Sequence, residues 1–230
     1  MEIVSSGGSS KVVQSAARGA IAFAALLGGI MLCLMALAAP APAASAPGPM
    51  PEVQAVVNQA VAVLKDPHLS VVERRRRLRD IANAHLDFPL MARSSLGYQW
   101  DELSPAEQQE FSRLFSSFIE DAYLNKIQGY VDLTFKFSRQ IMTGVNYAQI
   151  DTSVLQPGSS PISLNFHLRR ENGDWKVYDI AIDDISMVEN YRNQFNRVIK
   201  EQGFNALMVD LRRKDQQLTQ LLGTRQGANH

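Results

Sequence analysis

Cysteine is almost missing from this chain: Cys33 is the only one in 230 residues, and it lies within an apolar N-terminal run. If that run is a removable leader, the remaining chain has no disulfide, no thiol nucleophile and no cysteine metal site. Histidine is nearly as scarce. His68, His85, His167 and His230 are scattered, whereas a metal site needs ligands that converge. An excess of charge is absent too, with 23 basic residues against 23 acidic ones, so nothing points to nucleic acid as a partner. Glycine-rich phosphate loops and a Gly-x-Ser-x-Gly elbow are lacking. His85 and Asp87 stand two residues apart and would not face each other on a helix, and His167 falls on the polar face of its strand. Asp183-Asp184 is the best carboxylate pair, but it sits where a strand hands over to a helix, a place for ordinary capping and dipole chemistry. No catalytic residue, metal or cofactor is assigned.

What is present begins with a leader. Lys11 and Arg18 precede the uncharged stretch Gly19–Ala39, and small side chains follow at Ala41, Ala43, Ala44 and Ala46. A basic start, an apolar middle and Ala-x-Ala sites spell a secretory signal peptide over residues 1–43, cut after Ala43 or Ala46. The rival reading is a retained anchor, since the run approaches the roughly 20 residues that span a bilayer. A lipoprotein is disfavoured because bulky Leu32 precedes Cys33. Residues 44–51, rich in Pro, Ala and Gly, form a flexible leader. A single domain is expected over 52–222, then a polar tail at 223–230.

The domain opens with helices. Val53, Val56, Val57, Ala60, Val63 and Leu64 recur at helical spacing and stop at Asp66-Pro67. Ser70 with Glu73 is a capping box that starts a second helix ending at His85. That helix carries Arg74-Arg75-Arg76-Arg77 and Arg79, which reads either as a solvated face or as a dock for anionic headgroups or an acidic partner. Phe88–Leu96 is a short apolar helix closed by Gly97. Ser104-Pro105-Ala106-Glu107 starts a long helix striped with Phe111, Leu114, Phe115, Phe118, Ile119, Ala122, Tyr123 and Ile127.

The period then changes from 3.6 to 2. Val131, Leu133, Phe135 and Phe137 alternate with polar residues, and a weaker strand covers Asn146–Leu155. Over Pro161–Arg170, Ile162, Leu164, Phe166 and Leu168 turn inward while Ser163, Asn165, His167 and Arg169 turn outward. Asn172-Gly173 makes a tight hairpin to a fourth strand. There Lys176, Tyr178, Ile180 and Ile182 share one face, and Trp175, Val177, Asp179 and Ala181 the other. Ser186 with Glu189 caps the next helix, whose apolar face is Val188, Tyr191, Phe195, Val198 and Ile199. A last helix resumes after Gly203 with Phe204, Leu207, Met208 and Leu211. Helices, a meander of about four strands, then helices define an α+β fold: a curved antiparallel sheet packed against N- and C-terminal helices.

Three stretches carry a family resemblance: Gly173–Phe195 (GDWKVYDIAIDDISMVENYRNQF), Phe88–Gly97, and Leu103–Gln108. Together, in their order along the chain, they resemble the MlaC-type (toluene-tolerance) family of periplasmic lipid carriers that serve an ABC transport system, over about Val53 to Leu211. The resemblance weakens at Met142–Gln149. It implies a periplasmic, exported phospholipid-binding shuttle that works in intermembrane trafficking and outer-membrane lipid asymmetry, and is not an enzyme. The implied partners are a phospholipid ligand, an inner-membrane ABC transporter complex and an outer-membrane lipoprotein complex. It also implies an apolar lipid cavity enclosed by sheet and helices. On that basis we expect lining residues Phe88 and Met91, then Phe111, Phe115 and Phe118 of the long helix. The strands would add Phe135, Phe137, Leu164, Phe166, Leu168, Tyr178 and Ile180, and the next helix Met187, Tyr191 and Phe195. Met91, Met187 and Met208 suit irregular ligands. Other readings are a carrier of another lipid such as a hopanoid, an α+β enzyme with a small hydrophobic substrate, or a structural or chaperone-like module.

Overall fold

The computed structural model describes residues 48–127 and 133–227. The expected leader at 1–43, Cys33, Val131 and the last three residues lie outside the described residues. Local capping accounts for most helix starts. α1 (Met50–Lys65) begins at Pro49 and gives way to extended backbone at Asp66, the residue before Pro67. α2 (Val71–His85) starts where Ser70 Oγ accepts the Glu73 amide at 3.1 Å. α3 (Phe88–Leu96) is capped by Asp87, which accepts the Leu90 amide at 3.0 Å. It ends at Gly97, whose φ of 60° suits glycine. A 3₁₀ turn (Gly97–Glu102) leads to α4 (Pro105–Ile127). Its capping box forms in both directions: the Ser104 amide donates to Glu107 Oε2 at 2.9 Å, and the Glu107 amide to Ser104 Oγ at 3.4 Å.

Five strands follow, β1 (Thr134–Thr143), β2 (Tyr147–Leu155), β3 (Ile162–Glu171), β4 (Asp174–Ile182) and β5 (Ile185–Ser186). They pair antiparallel in the order β1-β2-β3-β4-β5. The fifth strand was not anticipated. Asp183 and Asp184 both take positive φ, 47° and 63°, and so make a two-residue hairpin turn where a plain handover to helix was expected. Asn172 (φ 52°) and Gly173 (φ 97°) turn β3 into β4 as their sequence predicts. β1 runs to Thr143, beyond its alternating segment, because a bulge between Phe137 and Arg139 resets its register. α5 (Met187–Gln202) is capped by Ser186, whose Oγ accepts the Glu189 amide at 3.0 Å. Asp179 of β4 reinforces that start, accepting the Ser186 hydroxyl at 2.5 Å and the Val188 amide at 3.1 Å. α6 (Phe204–Gly227) extends past the expected start of the polar tail.

Two large apolar centres result among the described residues, with a small third one where Leu64 meets Leu78. In the first, Phe111 and Phe115 of α4 stack on each other and meet Phe195 of α5 edge-on, with centroids 5.9 to 6.3 Å apart. Met91, Leu96, Tyr191, Leu207 and Met208 close around them. The second lies on the sheet, where Ile150, Phe166, Leu168, Trp175 and Val177 gather with Val53 of α1. The link before α3 ties helices to sheet. Leu86 bridges Val177, the Asp87 amide donates to the Val177 carbonyl at 2.8 Å, and Lys176 Nζ donates to the Ala84 carbonyl.

The arginine run divides between the interior and the exposed face of α2. Arg75 is buried and paired with Asp121 of α4 at 3.1 Å, and Arg79 donates to Glu120 at 2.5 Å. Arg76 and Arg77 both hold Glu73 and pull its carboxyl down to about 2. Arg74 caps the carbonyls of Asp66 and Leu69. Arg75 and Arg79 thus join α2 to α4 and Arg74 ties it to the turn before it, while Arg76 and Arg77 pair within α2 on its exposed face.

Candidate functional site

Strict alternation in β3 places Ile162, Leu164, Phe166 and Leu168 on one side, where all four border a single apolar pocket of about 430 Å³. Their β4 partners across the ladder, Ile182 for Leu164, Ile180 for Phe166 and Val177 for Leu168, border it as well. Those partners cannot share a face by simple alternation. A bulge leaves Tyr178 without a partner, as His167 pairs Asp179 and Leu168 pairs Val177. The extra residue brings Trp175 and Val177 to the same side as Ile180 and Ile182, and turns Tyr178 to the other side. There Tyr178 meets Tyr147 edge-on, with centroids 6.1 Å apart, and leans on His167. Burial, with Asp179 and Tyr147 adding to it, raises the Tyr178 phenol above its ordinary value.

The opposite wall is helical. α1 contributes Val53, Val56, Val57, Ala60, Val61 and Leu64, α2 contributes Leu78, Ile81, Ala82 and His85, and α4 contributes Ile119, Glu120 and Tyr123. Leu133, Phe135 and Val154 border the β1–β2 side, while Phe88 and Met187 stand where the pocket meets the aromatic core. Polar groups are few: Glu52, His85, Glu120, Gln156 and Ser160. Glu120 is buried and held in place, accepting from Arg79 at 2.5 Å and from Ser116 Oγ at 3.4 Å. A volume within the ~300–1,000 Å³ typical of ligand sites, with few polar groups, suits an apolar ligand held away from water. Each methylene so buried is worth about 0.8 kcal/mol.

Seven of the fifteen expected lining residues border this pocket: Phe88, Phe135, Leu164, Phe166, Leu168, Ile180 and Met187. The structure places the others elsewhere. Met91, Phe111, Phe115, Tyr191 and Phe195 are buried in the aromatic core, and Phe118 packs on its edge beneath Lys214, whose Nζ lies 4.8 Å from the ring. Phe137 packs against the sheet-side cluster beside the pocket, and Tyr178 faces the other way. The α1 wall was overlooked: its apolar spacing revealed a helix with one buried face, but not that the face looks onto open space. His85 is part of the wall. Outside the pocket, Asp87 is buried and accepts from Arg169 Nε at 2.5 Å, which raises the pKa of that guanidinium. On the far face of the sheet, hydrogen bonds from Gln149 and Arg139 outweigh burial and hold the Asp151 carboxyl below its ordinary value.

Among the described residues, no helix is long and apolar enough to cross a membrane, and no group of three His, Cys, Asp or Glu side chains converges as a metal site. These features define a class: an α+β domain whose antiparallel sheet and helices border an apolar pocket. The sequence matches the MlaC protein family over residues 54–213, and the chain belongs to that family. A relative from Haemophilus influenzae, the intermembrane phospholipid transport system binding protein MlaC, is 26% identical over 126 residues. That alignment takes in 53% of this chain and 59% of the relative, so the chain spans little more than half the length of the curated protein it matches. A phospholipid-binding protein from Ralstonia solanacearum, solved in complex with a phospholipid, superposes with a TM-score of 0.67 at 24% identity. The superposition covers 75% of this chain and 99% of that one. The likeness is one of fold.

Proposed function

We propose that this chain is a periplasmic phospholipid carrier. Its pocket takes acyl chains, and it passes lipid between an inner-membrane ABC transporter complex and an outer-membrane lipoprotein complex. The observation that carries this reading is the apolar pocket between β3–β4 and α1. It is bordered by aliphatic and aromatic side chains, with no lysine or arginine among them. The phospholipid in the Ralstonia solanacearum protein and the transport role in the name of the Haemophilus influenzae relative support it. A carrier needs no reactive group, only a dry space and a way in and out. The fifteen residues expected to line it reduce to the seven at the pocket, joined by the α1 valines. The leader at 1–43 would be removed on export, so N-terminal sequencing of exported protein should begin near residue 44 or 47, and an intact Met1 in the membrane fraction would refute this. Lipid extraction and mass spectrometry of the purified protein test the ligand. Stoichiometric phospholipid is expected, a hopanoid would change the lipid class, and protein that is lipid-free after gentle purification and takes up none from vesicles would sink the reading.

A further inference from the structure

α1 differs from the other helices in its surroundings. One side of it faces the 430 Å³ pocket, and beside it, toward α2, lies a second hollow of about 500 Å³ bordered by Gln59, Val63, Arg77 and Asp80. Ile81 and His85 of α2 border both spaces. The middle of α1 therefore has room on two sides, whereas Phe111 and Phe115 at the centre of α4 are fully buried. Five valines, at 53, 56, 57, 61 and 63, lower the intrinsic helix propensity of α1, so its order depends on its packing and on how its ends are held.

Those ends are held unequally. At the C-terminal end Leu64 packs on Leu78, and Arg74 Nη2 donates to the carbonyls of Asp66 and Leu69 at 3.0 and 3.4 Å, which stiffens the turn into α2. At the N-terminal end Pro49 is buried, and the Met50 amide donates to Gln140 Oε1 on β1 at 2.9 Å. Gly48 lies flat against the same side chain, where a Cβ would come within 1.8 Å of Gln140 Nε2. Apart from the apolar contacts of Met50, Val53 and Val57 with the sheet-side cluster, one side-chain amide on an edge strand joins the start of α1 to the sheet by a hydrogen bond.

We propose that α1 is the movable wall of the pocket, pivoting at the turn before α2, and that Gln140 is the latch that keeps it closed. One neutral hydrogen bond biases an equilibrium about fivefold, enough to favour closure without locking it. The passage of ligand rests on the lipid reading above; the motion of the helix does not.

Two measurements separate these. Hydrogen exchange on unliganded Gln140→Leu protein should show the amides of Val53–Leu64 exchanging about fivefold faster than in wild type, with Leu114–Ile119 unchanged. Equal exchange across α1 in the two proteins would overturn the latch. For passage, Gly48→Cys with Gln140→Cys in a Cys33→Ser background should close a disulfide, since a Cβ at Gly48 falls 2.4 Å from Gln140 Cδ and so within about 5 Å of Gln140 Cβ, near the span of a disulfide. The oxidised protein should release a fluorescent phosphatidylcholine to acceptor vesicles about tenfold more slowly than the same protein reduced. Equal release in both states would overturn α1 as the route. Failure of every form, wild type included, to take up the probe would overturn the lipid reading, and hydrogen exchange alone would then decide whether the helix moves.

Discussion

The helix-side core and the sheet-side pocket are built from the same kinds of residue, yet one is filled and the other hollow. Around α4, Phe111, Phe115, Tyr191 and Phe195 interlock edge to face and in stacks, and Phe111 and Phe115 are wholly inaccessible. At the sheet, Leu164, Ile180 and the α1 valines 56, 57 and 61 are only part-buried around open space. Packing partners make the difference. Residues of four helices, α3 to α6, close around the aromatic core, while the β3–β4 face looks across to α1, whose short valine side chains, with the edges of α2 and α4, leave the gap open. Apolar composition alone does not say whether a protein interior is solid.

The comparison breaks most visibly in the core. Phe115→Ala should cost about 3–5 kcal/mol, read as a large fall in melting temperature, because a cavity opens among rings that cannot collapse. Leu164→Ala at the pocket removes a side chain already facing space and should cost less than about 1.5 kcal/mol. Equal losses at the two sites would erase the distinction. The joint between the regions comes next. Asp87→Ala removes both the α3 cap and the buried partner of Arg169, and chemical denaturation should show a loss of about 2–4 kcal/mol. A loss under about 1 kcal/mol would mean that the Leu86–Val177 bridge holds helices and sheet together without it.

How much of this was legible depends on how local each cause is. Ser70 with Glu73, Ser104 with Glu107 and Ser186 with Glu189 were readable because a cap and its partner lie three residues apart, and all three form. The Asn172-Gly173 hairpin is equally local. The α+β class follows from such units in order. The bulge at Tyr178 arises from pairing between β3 and β4; its one trace in the sequence is that the apolar phase of β4 moves from Trp175 and Val177 to Ile180 and Ile182. Asp183-Asp184 lacks the glycine that usually announces a two-residue turn, so β5 went unseen. The separation of pocket from core was hidden for the reason already given: Phe115 and Phe166 are the same residue in different company.

A smaller effect on stability, with a larger one on binding, is expected inside the pocket. Leu164→Trp or Phe166→Trp in a filled core would overpack and cost about 1–3 kcal/mol. Here the added ring has space to enter, so melts of delipidated protein should move little while lipid carried through purification falls. The reverse pattern, a clear loss of stability with lipid unchanged, would mean that these residues are ordinary core.

The smallest effect is expected at Tyr178, and it tests the geometry most narrowly. Plain alternation would put Tyr178 beside Ile180 and Ile182 in the pocket; the bulge puts it with Tyr147 and His167 on the opposite face. Tyr178→Ser removes one aromatic contact between strands and should cost about 0.5–1.5 kcal/mol. Lipid stoichiometry should not change, because no atom of that side chain borders the pocket. Ile180→Ser, two positions along the same strand, is the matched comparison. It introduces a hydroxyl into an apolar wall and should lower lipid occupancy. If Tyr178→Ser loses lipid and Ile180→Ser does not, β4 pairs without its bulge in solution, and the wall would have to be redrawn with Lys176 and Tyr178 on the pocket side.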